Sequence, residues 1–328
     1  MALKILVFGS GSIGTVYAYI LSRVVSPENI VCVCRSNYQA GRKNGFRIDS
    51  SIFGRGLTLK PQVVETVEQS AAFGPYDYVL VSTKAISTSP SYPSLLRAVV
   101  TQPTTTIVLL QNGIDTESEY ASMYPNNPLL SCAVYLPVTQ VSPAVFVHQD
   151  LEKLHVGTYP ANAPQEHKEA AGEFVRLIAK GGGSAVLHDD IQLERWTKLL
   201  GNATWNPVCA LTRSRDVQFL RSSGHAREYV RSVMYEISSV AQAAGYKTVS
   251  QQMGDMHIRN IEAKDLPGNE PSMLADALSG RRMEVDALLG NLLARADRHG
   301  VQTPLLRGLY AQIAALDESF GRRSGSKI

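Results

Sequence analysis

Apolar and polar positions follow two rhythms along this chain. In the first half, short solid apolar runs recur at residues 3–8, 30–34, 77–81 and 105–110, each closed by glycine or small polar residues. Runs of that length bounded by turn formers read as strands buried on both faces. The stretch after the first run, Thr15-Val-Tyr-Ala-Tyr-Ile-Leu21, reads as a helix, so the order predicts a mostly parallel sheet. Strand-like runs at 131–136, 144–147, 153–156 and 185–187 extend it with antiparallel or mixed pieces. The stretch 137–143 receives no element. Beyond residue 189 the strand rhythm stops, and helical patterning covers 227–244, 285–299 and a segment from near Pro304. Gly245 and Gly300 stand where helices end. Gly181-Gly-Gly183 and His188-Asp-Asp190 mark a boundary, which gives an α/β domain over 1–188 and an all-α domain over 189–328.

One helical stretch carries more than packing. Over residues 195–207, Lys198, Asn202 and Asn206 fall at i, i+4 and i+8 on one face. Leu193, Trp196, Leu199, Leu200 and Ala203 form a separate apolar stripe for a core. An ammonium in line with two carboxamides is either a solvated polar face or the lining of a site for something anionic and oxygen-rich.

Composition narrows the function classes. The 328 residues are 44% hydrophobic and 19% charged, which is ordinary for a globular protein of two domains. A net charge of +3 is too small to imply nucleic acid. No apolar run is long enough to span a bilayer, so neither a membrane nor a nucleic acid is an expected partner. Cys32, Cys34, Cys132 and Cys209 lack zinc-ligand spacing; no metal is expected, and they read as reduced core thiols. Cys32 and Cys34 are expected on opposite faces of their strand. A cytoplasmic protein is the expectation. The terminal Ser326-Lys327-Ile328 differs by one residue from a peroxisomal address, a minor alternative. A homodimer is possible, the apolar helical half offering an interface.

The first apolar run leads straight into Gly9-Ser10-Gly11-Ser12-Ile13-Gly14, and a helix follows. A strand, this glycine spacing and a helix together form a Rossmann-type dinucleotide cradle. Gly9 permits the tight turn, Gly11 lets backbone approach a pyrophosphate, and Gly14 lets helix and strand pack closely. The phosphates would lie on the free N–H groups of the helix N-terminus. The second run ends roughly 20 residues on, where an NAD site places an acid against the ribose 2′-OH. This chain has Arg35-Ser36-Asn37 there. A guanidinium can grip a 2′-phosphate bidentately, so NADPH/NADP+ is the expected cofactor. Ser36 and Asn37 either add hydrogen bonds or cap the next helix. Lys84 and Asn112 stand at the carboxyl ends of two further strands, where open α/β sheets bind ligands.

Residues 269–286 are the other informative stretch. Ser272, after Pro271, reads as a helix N-cap, and Glu284 begins the next helix, where the macrodipole favours an acid. Taken with Thr83-Lys84-Ala85, Gln111-Asn112-Gly113 and Trp196-x-Lys198-Leu-x-x-Asn202-x-x-x-Asn206-Pro207, these residues resemble the ketopantoate reductase (2-dehydropantoate 2-reductase) family over nearly the whole chain. The resemblance implies a Rossmann domain followed by a helical domain like the C-terminal domain of 6-phosphogluconate dehydrogenase. It implies NADPH-dependent reduction of ketopantoate to (R)-pantoate, toward pantothenate and coenzyme A. On this resemblance Lys198 is the general acid and Glu284 orients it and reaches the cofactor. Asn202, Asn206, Asn269 and Ser272 bind substrate, and Arg35, Lys84 and Asn112 contact NADPH. Relatives that reduce another 2-oxo acid or ketone, and a non-catalytic NADPH sensor, are the rival readings. Trp205, Met273 and Leu274 either shape the substrate pocket or belong to the core.

Overall fold

The computed structural model describes residues 2–325; the Ser-Lys-Ile tail lies outside them. The chain forms two compact units, one of Met1–Gln111 with Thr116–Ile191, the other of Asn112–Asp115 with Gln192–Ile328.

The first unit holds strands β1 (Ile5–Phe8), β2 (Ile30–Val33), β3 (Phe46–Ser50), β4 (Gly54–Leu59), β5 (Gln62–Val64), β6 (Tyr78–Val81), β7 (Thr106–Leu109), β8 (Leu129–Tyr135), β9 (Val138–Ser142), β10 (Val145–His148), β11 (Lys153–Thr158) and β12 (Ala185–Leu187). Eight make one sheet in the order β12-β11-β8-β7-β6-β1-β2-β5. The five pairings from β8 through to β5 are parallel, β11 runs antiparallel to β8, and β12 is parallel to β11. Every residue of β1, β2, β6 and β7 is buried, because both faces of the sheet are covered. The two-residue period sorts them. Ile5, Val7, Leu80 and Val108 join one core with Val16, Tyr17, Ile20 and Leu21 of the first helix, Ser12–Ser22. Leu6, Phe8, Val79 and Ile107 join the core on the other face. Cys32 and Cys34 both belong to the first of these cores. The expectation of opposite faces fails because residues two apart share a face. All four cysteines are buried thiols outside any disulfide.

A second sheet, β4-β3-β10-β9, accounts for the stretch left without an element. Residues Thr139 to Ser142 of β9 are exposed, so the strand carries no run of buried apolar residues by which to recognise it. Only its ladder with β10 makes it a strand.

In the second unit the helix Ile191–Thr212 runs beyond the motif and contains Pro207. Trp196, Leu199, Leu200 and Ala203 enter the core, but Leu193 is 39% exposed and leaves the stripe expected of it. Helices Ala226–Ala243, Gln251–Glu262, Asn291–Arg298 and Pro304–Gly325 surround that core. A π-helical turn, Asp286–Gly290, precedes Asn291–Arg298. Among the described residues no helix is long and apolar enough to cross a membrane.

Candidate active site

In the first unit, β1 delivers the chain into the glycine loop. Gly9 has φ +103°, and a Cβ there would lie 2.6 Å from the Thr83 nitrogen. A Cβ on Gly14 would lie 2.6 Å from the Gly9 carbonyl oxygen. These two glycines are demanded by backbone packing. Gly11 differs, because a Cβ on it would meet nothing within 4 Å. It faces open space at the N-cap of Ser12–Ser22 and brings no side chain to that helix end. The first-turn donors of Ser12, Ile13 and Gly14 therefore lack a capping side chain, and such a helix end attracts an anion. Ser10 is turned inward, its backbone N–H donating to Val33 O at 3.1 Å.

The turn after β2 presents Arg35 and Ser36 to solvent. The Asn37 side chain does not cap the helix that follows. It is buried, donates to Ser10 O at 3.0 Å and accepts from Ala144 N at 3.0 Å and Gln140 Nε2 at 2.8 Å. Asn37 thus ties the glycine loop to the second sheet. Lys84 lies half-buried in the segment that follows β6.

The second unit assembles a different kind of site. Lys198 Nζ donates to Asn112 Oδ1 at 2.8 Å, and Asn112 Nδ2 donates to Glu284 Oε2 at 3.3 Å. One carboxamide thereby bridges an ammonium and a carboxylate, each end matched to the charge it meets. Desolvation, reinforced by the Arg195 guanidinium, pushes the Lys198 ammonium down to about 8, against the pull of Glu284 and Glu194. A lysine so placed is charged at neutral pH yet gives up its proton far more readily than one in water. Glu284 is the residue just before the helical turn that begins at Val285.

Of the other polar positions, Asn202 is half-buried one turn beyond Lys198. Asn206 is 4% exposed, and its Oδ1 accepts from Ser272 Oγ at 3.2 Å and from Met273 N at 3.0 Å. Ser272 is the first residue of helix Ser272–Leu278 rather than its cap. Asn206 does the capping, from another helix. Asn269 is exposed, its N–H donating to Asp216 Oδ1 at 2.7 Å. Trp205, Met273 and Leu274 lie in the core of the unit. Two residues at the site have no forerunner in the sequence reading. Asp115 and Arg295 form a two-point ion pair, Nε to Oδ2 at 2.6 Å and Nη2 to Oδ1 at 2.5 Å.

A dinucleotide-type cradle, together with a helical unit that carries a desolvated lysine beside a carboxamide and an acid, defines an oxidoreductase of the Rossmann class. Comparison with known proteins gives the family. The model described as "Ketopantoate reductase PanE/ApbA" matches residues 5–161, and that described as "Ketopantoate reductase PanE/ApbA C terminal" matches residues 190–317. An uncharacterized protein of Saccharomyces cerevisiae is 30% identical over 349 residues, covering 98% of this chain and 96% of that protein. A 2-dehydropantoate 2-reductase of Nostoc sp. is 25% identical over 315 residues, covering 96% and 95%. The crystal structure of 2-dehydropantoate 2-reductase from Methylococcus capsulatus superposes with a TM-score of 0.82 at 30% identity, covering 97% of this chain and 98% of that one. The chain belongs to the ketopantoate reductase family, whose members are oxidoreductases.

Proposed function

We propose that this protein reduces a small 2-oxo acid with NADPH, and that ketopantoate, giving (R)-pantoate, is the substrate to test first. The observation that carries the reading is the Lys198 ammonium, held at 2.8 Å by Asn112 and pushed down to about 8. NADPH, when bound, supplies the hydride. Hydride addition to a ketone carbon leaves an alkoxide, and Lys198 protonates that oxygen and becomes a neutral amine. Before that step the ammonium polarises the carbonyl. Glu284 keeps the lysine charged, and Asn112 fixes where it points.

The glycine loop fits the phosphates of such a cofactor because Gly11 opens on free space at an uncapped helix N-terminus. Gly9, Ser10 and Gly14 shape that loop, Ser12 and Ile13 offer N–H groups, and Arg35 and Lys84 add positive charge. Arg35 favours the 2′-phosphate of NADPH over the bare ribose of NADH. Asn202, the Ser272 hydroxyl and Asn269 meet the substrate's oxygens. Asn206 acts chiefly by holding Ser272, since its carboxamide oxygen is already engaged.

The test is NADPH consumption with ketopantoate, wild type beside Lys198→Ala. Turnover that collapses in the variant supports substrate and proton donor together. A wild-type protein that binds NADPH but reduces neither ketopantoate nor any other 2-oxo acid would overturn the reading.

A further inference from the structure

The Asn112 carboxamide joins the lysine to the acid, and something must hold it in turn. Its peptide, Asn112–Asp115, belongs to the helical unit and is fixed there residue by residue. Gly113 has φ +94°, and a Cβ on it would lie 2.2 Å from the Ala287 carbonyl oxygen, so only glycine fits. Ile114 is 1% exposed within the helical core. Its N–H donates to Ala287 O at 3.3 Å, and its carbonyl accepts from Asn291 Nδ2 at 2.7 Å. Both partners lie at the π turn Asp286–Gly290, which is closed by the Asn291 N–H donating to Asp286 O. Such wide turns are frequent at functional sites.

Asp115 ends the peptide with φ +58°, a left-handed conformation that aspartate and asparagine adopt more readily than other residues with a side chain. Its carboxylate is gripped by Arg295 through both oxygens. The pair is partly shielded, with side chains 30% and 23% exposed, and a bidentate fork fixes direction as well as distance.

We propose that the Asp115–Arg295 pair is a clamp that positions Asn112 and, through it, the ammonium of Lys198. The proposal deepens the reductase reading and rests on it for its meaning in turnover. Asp115 and Arg295 are positioning residues, because their effect passes through the Asn112 carboxamide. The charged groups around Lys198 are Arg195 and Glu194 on its own helix and Glu284 across from it. Asn112 accepts from the ammonium and donates to Glu284, so it supports two influences that favour the charged lysine. Freeing the peptide weakens both while Arg195 remains, and the lysine then loses its proton at lower pH.

Competitive labelling of Lys198 with acetic anhydride as a function of pH, read by mass spectrometry, reports this titration whether or not the protein turns over. Wild type should titrate near 8. Arg295→Gln should titrate lower by about half a unit or more, with kcat with ketopantoate down about tenfold. In an Asn112→Ala background, Arg295→Gln should add nothing further. If Arg295→Gln fails to fold, Asp115→Asn takes its place, since asparagine tolerates the left-handed backbone. A folded clamp variant that titrates like wild type overturns the proposal, as does a full extra shift on top of Asn112→Ala. Absence of turnover in wild type would instead sink the reductase reading, and the labelling titration would still decide the clamp.

Discussion

The glycine loop of the first unit and the lysine site of the second are built in opposite ways. The loop is made of backbone. Six contiguous residues close it, and its specificity lies in where a Cβ cannot stand, as at Gly9 and Gly14, or where none intrudes, as at Gly11. The lysine site is made of side chains drawn from far apart, with 86 positions between Lys198 and Asn112 and 172 between Asn112 and Glu284. A backbone site survives most side-chain changes and fails at its glycines. A side-chain site fails when any one member moves. The two regions should therefore respond to mutation in different currencies, binding for the first and turnover for the second.

The sharpest break is Lys198→Ala. It should lower turnover at least about a hundredfold, the lower end for loss of a positioned acid, and leave NADPH affinity nearly unchanged, as fluorescence titration would check. Equal losses in binding and turnover would mean that the two regions do not divide the work as described. The next effect needs no mutation. Reduction requires the charged lysine, which is present below its pKa and lost above it. With that pKa at about 8 in the free protein, kcat/KM should be level toward neutrality and fall about tenfold per pH unit well above 8. A profile flat to pH 10 would remove Lys198 from the role of acid.

On the loop side, Gly11→Ala separates ligand from fold. Its Cβ meets no protein atom within 4 Å, so the melting temperature should hold. The methyl would stand in the space left for phosphate, and NADPH binding should weaken by roughly tenfold, about 1.4 kcal/mol. Gly9→Ala is the contrast, because the Cβ meets backbone at 2.6 Å and φ is +103°. There stability and binding should fall together. A Gly11→Ala protein that binds NADPH like wild type would put the phosphates elsewhere.

The same contrast explains what could be read before the structure. The glycine loop and its flanking strand and helix were legible because all the information is local, a buried run, a spacing and a periodicity. The row of Lys198, Asn202 and Asn206 was legible as one helix face. That Asn206 faces Ser272 and Met273 was not, because the partner lies 66 positions away. The turn formers around Ser272 pointed to a helix start but could not show that its cap came from another helix. Asp115 and Arg295, 180 positions apart, carry no local pattern at all. The second sheet escaped for a related reason. β9 is mostly exposed and exists through its ladder with β10, so its own residues carry no buried apolar run to mark it.

Arg35 lies on the loop side yet acts as a lone side chain, so it tests where the comparison ends. It stands in solvent at the end of β2, where water and salt screen its charge. An exposed charge contact is worth up to about 1 kcal/mol, or roughly fivefold in affinity. Arg35→Gln should therefore weaken NADPH about fivefold, leave NADH unchanged and leave kcat with saturating NADPH near wild type. The loss should shrink further as salt rises, since screening already removes part of what the substitution removes. Paired titrations with NADPH and NADH at low and high ionic strength would measure all of this. If the NADPH preference survives Arg35→Gln, selection of the 2′-phosphate belongs to some other group, and the loop's backbone supplies affinity without choosing between the two cofactors. A loss well beyond fivefold would mean that Arg35 is more shielded with cofactor present than it is alone, and that cofactor choice, like proton donation, depends on a side chain held in place.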